Sequence, residues 1–183
     1  VISGESGSGK TVNAKIVMKY LTEATGVAAG GEDRVAEFLR ESNPVLEALG
    51  NAKTTRNPNS SRFGKYTKLQ YITESGADGR PLLKFTGAIM EHYLRERSRI
   101  ATPGPKGRSS HVCYQLIKGA DDTMRDTLSL GAADPLRFSY LSSNDNVVDV
   151  GYSEGRVVDD AEDFGVVCGA MSSLGIGAEE QLF

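Results

Sequence analysis

The amino-acid sequence predicts an α/β fold, and three features of the sequence support this prediction. A glycine-rich stretch, 4–9, stands between a short apolar start and a run with helical periodicity. Two segments rich in β-branched and aromatic residues, 65–73 and 82–89, flank a turn sequence. Apolar residues at helical spacing return in 159–175. We therefore expect part of a mixed central sheet flanked by helices, followed by a helical last third.

The glycine-rich stretch has the spacing of a phosphate-binding loop. Its sequence, GESGSGKT, fits the pattern G-x-x-x-x-G-K-[ST], in which backbone N–H groups surround phosphate oxygens. The lysine would supply positive charge to the β and γ phosphates, and the threonine hydroxyl is suited to ligate Mg²⁺. The flanking sequence disfavours an ordinary glycine-rich turn. The predicted nucleotide-binding residues of this loop are Gly4, Glu5, Ser6, Gly7, Ser8, Gly9, Lys10 and Thr11.

The loop is expected to join a strand to a helix. Val1, Ile2 and Ser3 are interpreted as the end of a strand in a buried parallel sheet. The helix should end near 24–26, and its N-terminal dipole would add to anion binding. Its predicted apolar face consists of Val12, Ile16, Val17, Tyr20, Leu21 and Ala24.

A second helix is predicted from Val35 onwards, with an interruption in its middle. Asn43 and Pro44 are expected to divide it, because proline lacks a backbone N–H and favours the first turn of a helix. A short helix would then restart over 45–49 and end at Gly50.

The segment 51–64 is dense in short hydroxyl and amide side chains. One interpretation is an ordinary polar surface loop. The other is an element that contacts the γ phosphate and Mg²⁺ of a bound nucleoside triphosphate, for which neighbouring serines and an arginine are suited. Ser60, Ser61 and Arg62 are the residues of this segment that would do so.

The remaining elements follow from local patterns. Asp78-Gly79 predicts a hairpin turn between the two β-rich segments. The charged patch 95–99 is interpreted as solvated surface. A short helix is predicted over 111–118, ended by Gly119, and a final helix that begins at 159 or 160 and ends at Gly175. The apolar stripe of this final helix consists of Ala161, Phe164, Val167, Cys168, Met171 and Leu174.

Composition limits the partners and the environment. The net charge is −3, from 21 Lys and Arg against 24 Asp and Glu, which gives no support to nucleic acid or an anionic membrane as partner. No apolar run has transmembrane length, so we expect no direct membrane insertion. Cys113 and Cys168 are predicted to be buried reduced thiols, and His92 and His111 to be structural. The valine at the start and the apparent helix over 179–183 indicate an internal piece of a larger protein.

Taken together, these stretches resemble the myosin motor domain, a P-loop NTPase. The loop 4–11 differs by one residue from the usual myosin loop, which has Ala in place of Ser8. Segments 51–54 and 59–66 are similar to its switch I. Later segments resemble the family in the same order along all 183 residues: 93–94 with 97–99, 111–116, 138–141, and 170–171 with 174–176. The resemblance implies a partial motor domain over 1–183, with a nucleotide-binding part at 1–100 and a mainly helical part at 101–183.

The resemblance also implies residue roles in hydrolysis of MgATP. Lys10 and the loop amides would hold the phosphates, while Thr11 and Ser61 would ligate Mg²⁺. The chemistry would be in-line attack of water on the γ phosphate, catalysed by positioning and charge stabilisation. From the second segment, Ser60 would approach the γ phosphate and the water, Asn57 would contact the phosphate region, and Arg62 would reach an acidic residue of switch II beyond this chain.

The same resemblance implies the partners and the location. We expect actin filaments to bind through regions outside this chain, the rest of the motor domain to surround it, and light chains or calmodulin to bind a lever arm. The location implied is cytoplasmic, at the cytoskeleton, in a myosin complex. Switch I transmits the loss of the γ phosphate in such motors.

Some residues depart from the family pattern and keep other interpretations open. Ser8 gives the GSGKT that kinesin motors also have, Pro58 replaces a usual Asp or Asn and removes a backbone donor, and 103–110 is unusually rich in Pro and Gly. These departures suggest a divergent class. The alternatives are another phosphate-loop enzyme, such as a kinesin-like motor or a kinase, which the sequence 60–65 disfavours, and an inactive nucleotide-binding relative that acts as a scaffold.

Overall fold

The computed structural model describes residues 1–26, 34–76, 79–94, 96–98, 107–141, 152–153 and 156–182. The chain divides into two units, one made of Val1–Arg40 with Gly64–Tyr93 and the other of Glu41–Phe63 with Leu94–Phe183. Helices and strands are mixed, and the described strands form three two-stranded antiparallel sheets. The larger mixed sheet expected from the sequence is therefore not formed among the described residues.

Helix α1, Lys10–Gly26, begins where the glycine-rich loop ends, as predicted. The N–H of Asn13 donates to the carbonyl of Gly9 at 2.9 Å, so Gly9 occupies the N-cap position. The strand predicted at Val1–Ser3 is wrong, because these residues adopt no strand. A strand needs a partner that completes its hydrogen bonds, and none of the described residues pairs with them.

The apolar face of α1 is largely exposed to solvent. Val12 is 46% exposed, Ile16 is 59% exposed and Tyr20 is 69% exposed. The helix packs against one strand of the first unit, and the Tyr71 hydroxyl donates to the carbonyl of Leu21 at 3.5 Å. The described residues of this unit therefore leave much of the predicted apolar face uncovered.

Helix α2, Arg34–Gly50, runs without a break through Pro44, so the predicted interruption is wrong. Proline removes one hydrogen bond of the helical ladder, but the bonds of the turns on either side can hold a single helix together. Gly50 is the last residue of the helix, as predicted. A Cβ at Gly50 would lie 2.1 Å from Cε1 of Phe63, so this helix end fits closely against the phenyl ring.

The predicted hairpin is confirmed, with longer strands than expected. Strands β1, Asn51–Ala52, and β2, Ser60–Ser61, come first in the chain, and the hairpin is formed by β3, Gly64–Ser75, and β4, Pro81–Tyr93. Gly64 pairs with Tyr93 and Ser75 with Pro81, with one shift in register after Gln70. Gly79 has a φ of +76°, as the turn requires, while Asp78 lies outside the described residues.

The second unit contains the remaining elements. Its helices are α3, His111–Gly119, α4, Asp122–Thr127, and α5, Asp160–Ser173. Its other elements are the short pair β5, Tyr152–Ser153, with β6, Arg156–Val157, and 3₁₀ turns at Pro135–Arg137 and Glu180–Leu182. The predicted helices 111–118 and 159–175 are confirmed. The last third is not wholly helical, since β5 and β6 lie within it, and a 3₁₀ turn stands in place of the helix expected at 179–183.

The core of this unit lies where α3 packs against α5. Tyr114 and Ile117 of α3 are buried together with Leu141. The Asp159 side chain accepts from the N–H groups of Ala161 and Glu162 and so caps α5. Cys113 and Cys168 are free thiols, as predicted, but both are only partly buried. Burial raises the pKa of each thiol.

A buried ion pair joins α5 to Arg108, three positions before α3 begins. Arg108 is fully buried, donates to Oδ2 of Asp160 at 2.7 Å and lies 3.7 Å from the Tyr114 ring centroid. His111 is buried beside it, and its Nε2 has no hydrogen-bond partner among the described residues. Burial, together with the charge of Arg108, lowers the pKa of His111 to about 4. The imidazole is therefore neutral at physiological pH.

Candidate functional site

The glycine-rich loop has the backbone conformation that its sequence requires. Gly7 has a φ of +84° and Gly9 a φ of +81°, which would strain any residue with a side chain. The N–H of Ser8 donates to the carbonyl of Glu5 at 3.2 Å and closes a turn inside the loop. Residues 4–8 are exposed. The loop thus presents its backbone to solvent directly before the first turn of α1.

Lys10 folds back over this loop. Its Nζ donates to the carbonyl of Gly4 at 2.5 Å and to that of Glu5 at 2.6 Å. The ammonium group therefore adds a positive charge beside the N-terminus of α1, whose first turn carries no acidic residue. Thr11 lies exposed in that same turn. A helix N-terminus, a cation and exposed loop amides together form a site suited to bind an anion.

The segment after α2 forms a loop whose two ends are fastened together. Strands β1 and β2 pair so that Ala52 lies opposite Ser60, and the N–H of Arg62 donates to the carbonyl of Gly50 at 3.0 Å. Ala52 also bridges to Ser110, and the N–H of Arg108 donates to the carbonyl of Lys53 at 3.0 Å. The base of the loop is thereby attached to the chain that leads into α3.

Short polar side chains organise the interior of this loop. The N–H of Asn57 donates to Oγ1 of Thr54 at 3.1 Å, and Oδ1 of Asn57 accepts from the N–H of Asn59 at 2.9 Å. The Asn59 amide accepts from Asn51 at 2.8 Å and donates to Glu47 at 3.2 Å. The side chain of Asn57 thus holds the turn itself. Its expected contact with phosphate remains a prediction.

The two serines of β2 have different environments. Ser60 is buried, whereas Ser61 is exposed and its hydroxyl donates to the carbonyl of Phe63 at 3.2 Å. Successive residues of a strand face opposite sides, so only one of the two can be turned inward. The alternation separates a serine held inside the loop base from one that solvent reaches.

Arg62 has a partner inside this chain, which the sequence reasoning did not foresee. Its Nε forms a close ion pair with Oε2 of Glu96, and its Nη1 donates to Oγ of Ser60 at 3.0 Å. The two charged side chains are 28% and 27% exposed. The prediction that the charged patch 95–99 is merely solvated surface is therefore wrong for Glu96. The two residues are 34 positions apart in the sequence, and no periodic pattern connects them.

The predicted site residues thus fall into two groups. Residues 4–11 belong to the first unit and 57–62 to the second, and the structure describes each group within its own unit. Among the described residues no group of three or more His, Cys, Asp or Glu side chains is placed to hold a metal ion. In that part of the chain no helix has the length and apolar character needed to cross a membrane.

Comparison with known proteins gives one consistent result. The chain matches the Myosin head (motor domain) family over residues 1–183. It is 36% identical over 200 residues to human Unconventional myosin-VI, with all of this chain covered. It is 41% identical to Myosin-51 of Schizosaccharomyces pombe and 41% identical to Myosin ID heavy chain of Dictyostelium discoideum, with 99% of this chain covered in both comparisons.

This chain spans only part of each of these relatives. It covers 14% of the length of the human protein, 11% of Myosin-51 and 15% of the Myosin ID heavy chain. The family match nevertheless extends over every residue, and it includes the glycine-rich loop and the segment that carries Arg62. The chain therefore belongs to the myosin head (motor domain) family.

Proposed function

We propose that this chain is the nucleotide-binding part of an actin-based motor that binds and hydrolyses MgATP. The observation that carries the proposal is the loop 4–11, where Lys10 lies over the loop carbonyls and Gly9 caps the helix that follows. A glycine-rich loop, a lysine and a helix N-terminus are the elements with which a protein binds the phosphates of a nucleotide. In the whole motor, the loop and the β3–β4 hairpin would belong to a larger mixed sheet flanked by helices.

ATP is held, in this proposal, by Gly4, Glu5, Ser6, Gly7, Ser8, Gly9, Lys10 and Thr11. The loop N–H groups donate to the phosphate oxygens, and the ammonium of Lys10 exchanges its carbonyl partners for the β and γ phosphates. An anionic phosphate is a stronger acceptor for a cation than a neutral carbonyl, so the exchange is favourable. The terminal phosphate is thereby placed for attack by water.

The second segment supplies the groups that face the terminal phosphate. Ser60 accepts a hydrogen bond from Arg62, so donation is how its hydroxyl would contact a phosphate oxygen. Asn57 contributes through the loop that it organises. Catalysis then rests on orientation of the water and on stabilisation of the developing charge, with no covalent intermediate.

The side chains available for Mg²⁺ fit that ion. Thr11 and Ser61 both carry exposed hydroxyl oxygens, and Mg²⁺ takes oxygen ligands, several of them from water and from the substrate phosphates. The absence of a carboxylate cluster among the described residues is compatible with that ligand set. When bound, Mg²⁺ neutralises charge on the β and γ phosphates. Thr11 and Ser61 would each contribute one neutral oxygen to it.

Arg62 would act as a gate on this reaction. A guanidinium can pair with a carboxylate through two hydrogen bonds, and such a pair with an acidic residue of switch II would close the site against bulk water. The site would close before cleavage and open after phosphate release, and these conformational changes would be transmitted to the rest of the motor. We propose that the whole protein binds actin filaments, and light chains or calmodulin. We also propose that it lies in the cytoplasm at the cytoskeleton.

The test uses the full-length protein and the variant Lys10→Ala, with Lys19→Ala as matched control. Lys19 lies exposed on the same helix, more than two turns away. We expect Lys10→Ala to weaken MgATP binding at least about 10-fold, since a charge-assisted hydrogen bond is worth roughly 1.5–3 kcal/mol, and to slow turnover. Lys19→Ala should match the parent protein.

Three results would contradict all or part of the proposal. If the parent protein binds no nucleotide in an equilibrium binding assay, the chain is a non-binding relative and the scaffold interpretation stands instead. If it binds MgATP but Lys10→Ala binds with the same affinity, the loop 4–11 is not the phosphate site. Binding without hydrolysis in the parent would restrict the chain to nucleotide binding.

A further inference from the structure

Strand β1 of the second unit lies between two neighbouring segments. On one side Ala52 lies opposite Ser60 of β2, and on the other side it bridges to Ser110, directly before α3. The N–H of Arg108 donates to the carbonyl of Lys53 at 3.0 Å on this second side. Ala52 is fully buried between the two neighbours. The chain that leads into α3 therefore lies one strand away from the serine that is proposed to face the terminal phosphate.

The side chain of Arg108 anchors this arrangement to two helices. β1 and β2 have two residues each, and ladders this short are marginal unless they pack against other elements. Arg108 is fully buried and donates to Oδ2 of Asp160, the first residue of α5, at 2.7 Å. Its guanidinium carbon lies 3.7 Å from the ring centroid of Tyr114 in α3. One carboxylate thus gives the guanidinium its direction, and one ring gives it a surface to stack on.

The ion pair is not arranged for the greatest stability. Nε and Nη1 of Arg108 and Oδ1 of Asp160 are buried and have no hydrogen-bond partner among the described residues. Buried polar atoms without partners oppose folding, and apolar side chains often stabilise such a place as well as an ion pair or better. A hydrogen-bonded pair has a preferred direction, however, which an apolar pair lacks. Direction, more than stability, is therefore what this pair contributes.

We propose that Arg108 is a positioning residue of the candidate site: through Asp160 it holds β1, and with it Ser60 and Ser61 of β2, at a fixed place on α3 and α5. The proposal rests on the function proposed above, and it adds the start of α5 as a support of the site. Because Arg108 is fully buried, it acts through the backbone of β1 and not on the nucleotide.

The experiment separates position from stability in the full-length protein. The double variant Arg108→Met with Asp160→Leu replaces the pair by apolar side chains and should keep most of the stability of the parent. MgATP affinity and single-turnover cleavage are measured together with hydrogen exchange of the Arg62 amide, which donates to the carbonyl of Gly50 at the loop base. The matched control is Arg125→Met, because the Arg125 side chain donates to three backbone carbonyls of the same unit, none of them in the loop or in β1.

Cleavage should suffer more than binding in the double variant. A displacement of 1 Å at a reacting group costs about 100-fold in rate, so we expect cleavage to slow by about 10- to 100-fold. The affinity for MgATP, which the loop 4–11 provides in the proposed function, should change by less than about 3-fold. Exchange of the Arg62 amide should become faster in the double variant. In Arg125→Met both cleavage and this exchange should match the parent, since a loop opens locally.

Several outcomes would overturn the proposal. Cleavage at the parent's rate in a folded double variant would leave the ion pair with a structural role alone. An equal slowing in Arg125→Met would assign the effect to general destabilisation, and an equal loss of affinity and cleavage would mean that the whole site is lost.

Two provisions keep the inference testable. If the double variant does not fold, Arg108→Lys takes its place, because lysine keeps the charge but lacks the planar guanidinium that stacks on Tyr114 while it pairs with Asp160. It should slow cleavage and keep the affinity, and the parent's rate would overturn the proposal. A parent protein that does not cleave ATP would remove the proposed function, and exchange of the Arg62 amide would still test whether Arg108 supports β1.

Discussion

Protonation of His111 should destabilise the second unit as the pH falls below 6.5. Burial first, and then the charge of Arg108, hold the pKa of this imidazole at about 4 in the folded protein, against an ordinary value of 6.5. Above pH 6.5 both the folded and the unfolded chain carry a neutral imidazole, so this group contributes no pH dependence there. Between 6.5 and 4 the unfolded chain takes up a proton that the folded chain refuses, and the free energy of unfolding falls.

The size of the loss follows from the difference between the two pKa values. Each pH unit in that window costs about 1.4 kcal/mol, so the loss is about 2 kcal/mol by pH 5. Burial raises the pKa of Asp160 despite its pair with Arg108. A raised carboxyl pKa increases the free energy of unfolding as the pH falls, which is the opposite of the effect of His111. That contribution is common to the parent and to a histidine variant, so their difference reports His111.

Hydrogen exchange of the α3 amides in the full-length protein measures this quantity locally. The opening free energy of α3 is followed from pH 7.5 to 5, after correction for the intrinsic pH dependence of exchange. The parent should lose about 2 kcal/mol more than His111→Gln over this range. His92→Gln removes an exposed histidine from β4 and should keep the slope of the parent. Equal slopes in the parent and His111→Gln would refute the reasoning, because the imidazole would then titrate alike in both states.

Two further outcomes follow from close packing in the second unit. Asp160→Asn should lower the opening free energy of α5 by about 3–5 kcal/mol, because it leaves the fully buried Arg108 without its countercharge. Hydrogen exchange measures this opening free energy. The double variant Arg108→Met with Asp160→Leu should recover most of the loss. If Arg108→Met with Asp160→Leu recovered none of the stability, the unpaired charge would not be the source of the loss. Gly50→Ala should destabilise the loop base, because its Cβ would meet the Phe63 ring at 2.1 Å, whereas Gly165→Ala in α5 has nothing within 4 Å and should stabilise the helix by up to about 1 kcal/mol. The thermal transitions of these two glycine variants compare them directly, and a shift of the same sign in both would contradict the packing argument.

Local patterns predicted the elements that are stabilised locally. The loop before α1 and the turn that includes Gly79 follow from glycines whose positive φ no other residue adopts cheaply. The start of α5 follows from Asp159, whose carboxylate caps the two N–H groups beyond it. In each of these places the interactions that decide the conformation lie within a few residues of one another. The local sequence is therefore sufficient to predict the backbone conformation at these three places.

The failures lie where distant partners decide. Val1–Ser3 reads as a strand, but a strand forms only when another segment completes its hydrogen bonds. The break expected at Pro44 does not form, because the turns before and after it are sufficient for one helix. Arg108 and Asp160 are 52 residues apart, and Arg62 and Glu96 are 34 apart. No periodicity connects such pairs, so the sequence did not reveal that Glu96, which was interpreted as surface, is the partner of Arg62.

Pro58 changes the entropy of the loop that carries the second group of site residues. The hydrogen bonds within that loop use the N–H groups of Thr54, Asn57 and Asn59, and the Asn57 side chain closes the turn across the proline by accepting from the N–H of Asn59. The backbone donor that proline lacks is therefore not required there. A proline ring narrows the conformations open to the unfolded chain, which is worth about 0.4–1 kcal/mol where the ring fits without strain. The loop therefore has less conformational entropy to lose when the chain folds, and also less when a ligand orders it.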